Sequence, residues 1–514
     1  MRFGAYLVFA TLIMSVVLYT TPHGLGVSPD SASYIKGAVG ILSGHGLHYL
    51  SSQWPPFYPF VLSMFGWLFG GDVLYGARFL NATLYPIIFL LIFGLLKNNT
   101  RNHFWLNTGF AALLCMQPPI ALVLYYAWSE PLFIALTLGN LFILCSMRNT
   151  KHPTALHLGL VALSTLALLT RLTGVTIIAL NCLTVFAFSD QKKPLQRGAK
   201  ALAQLLVPFI IFLPWVGHQG IGDSESTTRS VEFHPISSAA LNNALTTIGR
   251  WLYPMVGDTM SLTDQRVIAW TGICVLLLPI ILLLYKFVDR LRRYQTKHGQ
   301  SGDRALISPL TPSLIISIYI VGYVLLLYGA ISFFDSKVPF DNRILAPIFL
   351  PLFILIIQSV SQCKTPLLRN GFLAILALSL LCTYPKLKGW LLFSKFNGVE
   401  LSSVKVKTSP LHSLIQNCNR AARVFADQPW NFELYFSSKV FWLPSRTLYY
   451  KNQINKNYDQ QIKALSDQAD LIVVEQVASG VIADIEQLKT FRLIHEDFSG
   501  RVWIRANSKT QFCQ

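Results

Sequence analysis

Apolar residues along this chain come in blocks of about 17 to 25, the length at which a helix crosses the hydrocarbon core of a bilayer. Eleven such blocks can be marked, at 3–21, 73–96, 104–124, 129–147, 155–170, 172–188, 201–217, 267–287, 311–333, 344–360 and 370–385. A backbone in lipid must satisfy its own hydrogen bonds, and a helix does so within one segment. Charge agrees with that reading, since only 13 % of the 514 residues are charged and 53 % are hydrophobic. Soluble domains carry about 25 % charged residues. The predicted class is an all-α polytopic membrane protein with about 11 transmembrane helices.

A net charge of +18 could point to nucleic acid, but its distribution points to topology. With the N-terminus cytoplasmic, eleven passes put Lys97, Arg101, Arg148, Lys192, Lys193, Arg197, Arg290, Arg292, Arg293 and Arg369 inside. The opposite loops hold few bases, among them Lys36, Arg229, Arg250, Lys337 and Arg343. This is the positive-inside asymmetry, so no nucleic-acid partner is called for. Residues 3–21 follow Arg2 as a signal peptide would, but no small-x-small cleavage site follows them. They read as a retained anchor.

Two loops interrupt the helices on the predicted extracytoplasmic side. Loop 22–72 holds an amphipathic stretch near 31–43 and a short apolar segment at 57–70, better suited to an interfacial or re-entrant helix than to a span. Loop 218–266 is polar and rich in Ser, Thr and Asn, either a flexible lid or a long connector. From about residue 388 the composition becomes soluble-like. Segments 469–477, 491–495 and 501–506 read as strands and 481–489 as a short helix. The predicted division is a transmembrane domain, 1–388, and a small extracytoplasmic α/β domain, 389–514. The eight cysteines show no Cys-x-x-Cys or Cys/His spacing of a metal cage. Cys418 and Cys513 lie in the polar C-terminal region, where an oxidising compartment would favour pairing them.

Scarce ionisable residues mark the candidate site. Asp30, in Ser28-Pro29-Asp30-Ser31-Ala32-Ser33-Tyr34, puts a carboxylate at the membrane surface soon after the first helix, and a carboxylate within reach of a hydroxyl can take its proton. Glu130, in Trp128-Ser129-Glu130-Pro131-Leu132, is the only acid within the apolar blocks. Its functional reading, as the residue that holds Asp30's partner, an acceptor group or a divalent cation, stands beside electrostatic capping of its helix. Arg171 interrupts two apolar runs, and Arg343 follows Asp341 and Asn342 before the tenth block; parity sends both to the side of Asp30. Either guanidinium could hold a phosphate bidentately or act as an interfacial anchor, and Asp341 could orient Arg343 through a local salt bridge. Tyr58, Trp54, Tyr125, Tyr126 and Trp128 suit a sugar face or an interfacial aromatic belt. His45 and His48 in a Gly-rich loop specify no metal.

Asp30 followed by Trp54-Pro55-Pro56-Phe57-Tyr58-Pro59 resembles the first external loop of the GT-C glycosyltransferases. Ser129-Glu130-Pro131-Leu132 and Arg343 before Leu345-Ala346-Pro347 resemble later parts of that family. The likeness is to its branch of protein O-mannosyltransferases and lipid A aminoarabinose transferases, and covers roughly residues 1–360. It implies a polyprenyl-phosphate-linked sugar donor, with Asp30 as base and an arginine on the phosphate; the candidate catalytic residues are Asp30 and Glu130, and the candidate substrate-binding residues Arg171, Arg343, Asp341, Tyr58 and Trp54. The acceptor is a lipid, glycan or protein hydroxyl, and the compact loops suit the inner membrane of a bacterium. A single Asp30 stands where many members carry an acid pair, so a divalent cation stays open and no metal ligands are assigned. The rival is a transporter or flippase of lipid-linked glycans, which should show paired halves with broken helices near the midplane and ionisable residues in the bilayer centre. The sequence shows neither.

Overall fold

Each of the eleven apolar blocks is helical. In the computed structural model the described residues are 2–46, 50, 54–99, 104–147, 153–188, 194–219, 233–253, 261–297, 311–334, 338–436, 440–446, 454–475 and 479–506. The chain opens with α1 (Arg2–Thr20), followed by α2 (Pro29–Leu42) and α3 (Phe57–Leu68) in the first loop. Then come α4 (Val73–Asn99), α5 (Phe104–Cys115), α6 (Pro118–Leu124), α7 (Glu130–Ser146), α8 (Pro153–Thr170), α9 (Val175–Phe188) and α10 (Pro194–Gln219). The helical region closes with α11 (Ser238–Arg250), α12 (Leu262–Lys297), α13 (Pro312–Phe333), α14 (Asn342–Ser361), α15 (Pro366–Leu381) and α16 (Tyr384–Asn397). The predicted 388/389 division falls inside α16.

By length and composition, six spans among the described residues can cross a membrane alone: α4, α10, α12, α13, α14 and the joined α15–α16. The remaining blocks form shorter apolar helices, except that α5 and α6 form one path bent by 61°. Pro118 and Pro119 cause that bend, because neither can donate to the preceding turn. The Gln117 side-chain amide then donates to the Leu113 carbonyl at 2.8 Å and to Leu380 at 3.1 Å, so backbone groups freed at the break are met. Many large apolar side chains face outward, Leu213, Trp270, Leu325 and Leu367 among them. Water would not tolerate so much exposed apolar surface, but lipid does. The chain is a multi-pass membrane protein. α14 runs through its middle, packed against α4, α6, α7, α13 and α15, with Pro347 and Pro351 inside it.

The polar loop 218–266 is ordered at its centre rather than bare connector. α11 lies there, capped by Ser237 accepting from Ala240 N, and it packs along α12. Residues 220–232 and 254–260 of the loop lie outside the described residues. Gly249 and Gly272 let these two helices touch backbone to backbone: a Cβ on Gly272 would collide with the Leu245 carbonyl, and one on Gly249 with that of Ile268. Gly272→Ala is expected to cost about 1–3 kcal/mol, the usual penalty of overpacking. Thermal unfolding in detergent checks this; an unchanged midpoint would mean that the helices can part freely.

The C-terminal region opens with α17 (Val404–Lys407) and α18 (Pro410–Gln416), then β1 (Val424–Ala426), α19 (Pro429–Phe432), β2 (Phe441–Trp442) and α20 (Tyr458–Gln468). β3 (Leu471–Val474), α21 (Ser479–Glu486), β4 (Phe491–Asp497) and β5 (Gly500–Arg505) complete it. The sheet order is β2-β1-β3-β5-β4, parallel from β2 to β3 and antiparallel beyond. The three predicted strands are β3, β4 and β5, and the predicted helix is α21. Apolar clusters cover both faces, one around Leu411, Val424 and Val473, the other around Leu465, Ile472 and Trp503. Cys418 is disulfide-bonded; Cys513, its expected partner, lies outside the described residues.

Candidate functional site

Pro29 at the first helical position presets the turn that starts α2, leaving Asp30 in that first turn. The strand-like entry is pinned from two sides. Gly26 donates to the Tyr125 carbonyl at 2.8 Å and accepts from Ala127 N at 3.0 Å, while Val27 pairs with Glu400. Gly26 is required there, since a Cβ would press on the Tyr126 ring at 2.8 Å. Glu400 itself adopts a φ of 50°, a region that non-glycine residues enter uncommonly. The Tyr126 hydroxyl donates to its carboxylate at 3.5 Å.

Glu130 starts α7 directly after Ser129, with its carboxylate fully buried. Its Oε1 accepts from Arg343 Nε at 2.6 Å and pairs with Arg171 Nη1 at 2.7 Å. Arg343 continues the chain: its Nη2 donates to Asp30 Oδ2 at 2.5 Å. Four ionisable residues from α2, α7, the α8–α9 turn and the start of α14 thus form one network, with Arg343 between the two acids. Asp30 is the most open of the four, 24 % exposed, and the two arginines are 13 % and 17 % exposed.

The surroundings hold the network in place. Asp341 Oδ1 accepts from the backbone N–H of Arg343 and of Ile344, both at 3.0 Å. It is the N-cap of α14, so it fixes where the arginine starts and takes the place of the expected local salt bridge. The α11 segment braces the same turn: Thr247 Oγ1 donates to the Phe340 carbonyl at 3.2 Å and Trp251 Nε1 to Asn342 Oδ1 at 2.9 Å. The Arg343 guanidinium lies 4.1 Å above the Trp128 ring, and Trp128 stacks on Tyr126 at 4.0 Å and 14°. Trp128 Nε1 donates to Ser28 Oγ at 2.6 Å, tying that stack to the cap of α2. Ser129 Oγ accepts from Arg171 Nη1 at 3.2 Å and lies 3.2 Å from the Tyr34 hydroxyl.

Tyr58 is fully buried, edge-on to Tyr34 with centroids 5.0 Å apart, so it offers no open face to a sugar. Trp54 lies beside the same Tyr34 ring and is partly exposed. Tyr125 is buried under Trp390. His48 falls outside the described residues, and His45 is exposed. From sequence Trp128 is a candidate for a sugar face or an aromatic belt only, and Tyr34, Ser129 and Ser28 carry no assigned role. No local signal distinguishes them, because the approach of α14 gives them their roles.

Among the described residues no three His, Cys, Asp or Glu stand together as metal ligands; Asp30 Oδ2 and Glu130 Oε1 meet at one guanidinium, while Glu130 Oε2 is buried without a hydrogen-bond partner.

No protein-family model and no curated protein matches the sequence. Solved structures match by shape. The crystal structure of ArnT from Cupriavidus metallidurans bound to undecaprenyl phosphate aligns over 98 % of this chain and 98 % of its own, with TM-score 0.58 and 13 % identity. AglB from Archaeoglobus fulgidus, in complex with an inhibitory peptide and a dolichol-phosphate, aligns over 99 % of this chain and 75 % of its own, with TM-score 0.52 and 10 % identity. The arabinofuranosyltransferase AftD from Mycobacteria gives TM-score 0.52 at 11 % identity; this chain spans 40 % of its length. By shape the chain shares one fold with ArnT, AglB and AftD.

Proposed function

We propose that this protein is an inverting glycosyltransferase that moves a sugar from a polyprenyl-phosphate donor to a hydroxyl acceptor at the extracytoplasmic face of a bacterial inner membrane. The observation that carries the reading is the network itself: a partly exposed carboxylate, Asp30, paired with Arg343, which shares the buried Glu130 with Arg171. The similar ArnT structure holds undecaprenyl phosphate and the AglB structure a dolichol-phosphate; a phosphate on a lipid needs a partly buried cation at the membrane surface, and Arg343 and Arg171 supply it. We assign residues 1–388 to the transferase and 389–514 to a domain on the same side, joined to it where 400 and 401 meet Val27.

In this reading the acceptor oxygen attacks the anomeric carbon as the bond from that carbon to the phosphate oxygen breaks. The acceptor proton goes to Asp30, and polyprenyl phosphate leaves with the bonding pair. One displacement needs one base and inverts the configuration. Arg343 couples the two halves of the reaction. The Arg343 guanidinium occupies Asp30 Oδ2, and a phosphate drawing Arg343 away opens that oxygen to the acceptor hydroxyl when donor is present.

The test is turnover of a panel of undecaprenyl-phosphate sugars by the purified protein in vesicles, read as release of undecaprenyl phosphate. No turnover of any member by folded protein would sink the proposal. The arginines supply a separable prediction. Arg343→Lys keeps the charge and its hold on Glu130 but loses the fork that grips phosphate through two bonds. Carrier affinity is expected to fall about tenfold or more, the worth of one charge-assisted hydrogen bond, and Arg171→Lys should weaken it less. Undecaprenyl phosphate binding to the purified variants checks this; unchanged affinity in both would free the arginines from the carrier.

A further inference from the structure

The carboxyl ends of β2, β1 and β3 lie side by side, because the strands are parallel and Ala426 stands opposite both Trp442 and Val473. Just past that line come Asp427 and Glu475, joined where Glu475 N donates to Asp427 Oδ1 at 2.9 Å. From α19, the Asn431 side-chain amide donates to Glu475 Oε2. Beneath them sits His412, 2 % exposed, with Nδ1 3.1 Å from the Tyr435 hydroxyl. Its Nε2 is buried without a hydrogen-bond partner and points toward Glu475 Oε1 from 3.6 Å. Buried polar atoms in native proteins are nearly always partnered, and open α/β sheets bind ligands at the carboxyl ends of their strands. Beside the acids, Trp442 is 42 % exposed and meets Trp430 edge-on at 4.7 Å.

We propose that this edge of the C-terminal sheet is a glycan-binding site that presents the acceptor. The chemistry selects the ligand. Carboxylates only accept, an amide donates and accepts, and a neutral imidazole does one on each nitrogen. Adjacent sugar hydroxyls donate and accept together and match that mixed set, while the apolar C–H face of a sugar ring suits the part-exposed indole of Trp442. A purely cationic peptide would use the two acids and leave the amide, the imidazole and the indole idle. Position supports the role: α19 packs on α2, the helix whose first turn holds Asp30, and Trp430 packs against the core of the membrane region. A chain held here therefore lies on the flank of the helix that carries the base. Calling the ligand the acceptor rests on the transferase reading; glycan binding itself does not.

The experiment uses the full chain in nanodiscs without donor and saturation-transfer NMR on methyl glycosides of mannose, glucose, galactose and N-acetylglucosamine. At least one glycoside should give a signal. Glu475→Gln should lower it by about tenfold, the loss expected when a charge-assisted hydrogen bond goes, and Trp442→Ala should lower it too, because the apolar face that meets the sugar ring goes. Asp30→Asn should leave the signal unchanged, and unfolding midpoints should confirm that the variants fold. Silence from every glycoside, a signal indifferent to both substitutions, or binding of trilysine in their place would overturn the proposal. Glycoside binding without any sugar transfer would instead remove the enzyme reading and keep the site.

Discussion

Asp30→Asn is expected to leave a folded protein that binds undecaprenyl phosphate and transfers sugar at 10⁻² to 10⁻⁴ of the parent rate, about what a positioned base contributes. That range corresponds to about 3 to 5 kcal/mol of barrier. Asn keeps the size of Asp and one oxygen that can still accept from Arg343 Nη2, the contact that Asp30 Oδ2 now makes at 2.5 Å. It cannot take the acceptor proton. Asp30 lies at the surface end of α2 and is only part-buried, so the loss of its charge should cost little stability. The carrier phosphate should bind at least as well, because Arg343 is then held by one formal negative charge fewer. The measurement is a split between two assays on one protein: carrier affinity retained, release of polyprenyl phosphate lost. Near-normal transfer would take the base out of the mechanism.

The four network residues were legible in the sequence because a charge near lipid is expensive and therefore rare. Glu130 is the only acid within the apolar blocks, and Arg171 is the single residue that separates two of them. Their mutual contacts were not legible. Asp30 and Arg343 are separated by 313 positions, and nothing local says that α14 carries Arg343 over Trp128. The indole looked like part of an interfacial belt because a belt and a cation platform have the same composition. Asp341 looked like a salt-bridge partner of Arg343, but its spacing is also that of an N-cap, and the backbone claimed it. The polar loop 218–266 hid α11, although Ala240, Ala244 and Ile248 repeat every four residues along one helical face. In the C-terminal region β1 and β2, three and two residues long, are too short for alternation to show, whereas β4 and β5 are long enough. These misses concern tertiary approach, while the hits rest on the cost of burying charge and on segment length.

Glu130→Ala is expected to destabilise the folded protein by about 3–5 kcal/mol, the usual result of removing one partner from a buried ion pair. Arg343 and Arg171 converge on the same Oε1 at 2.6 and 2.7 Å, so the substitution leaves two guanidiniums facing each other with one fewer counter-charge. Were Glu130 only a favourable charge at the start of α7, the loss would be about 0.3–1 kcal/mol. The two readings therefore differ by several-fold in one unfolding measurement. A second variant separates charge from shape. Glu130→Ala combined with Arg171→Ala restores the balance of one arginine to one acid, Asp30, and should be less destabilised than the sum of the single changes, as contacting residues in one network are. Transfer should stay low in both, because without Glu130 to share it Arg343 rests wholly on Asp30 and keeps the base occupied. Simple additivity in the double variant would mean that the two residues do not act on each other, and the network would be a set of separate contacts.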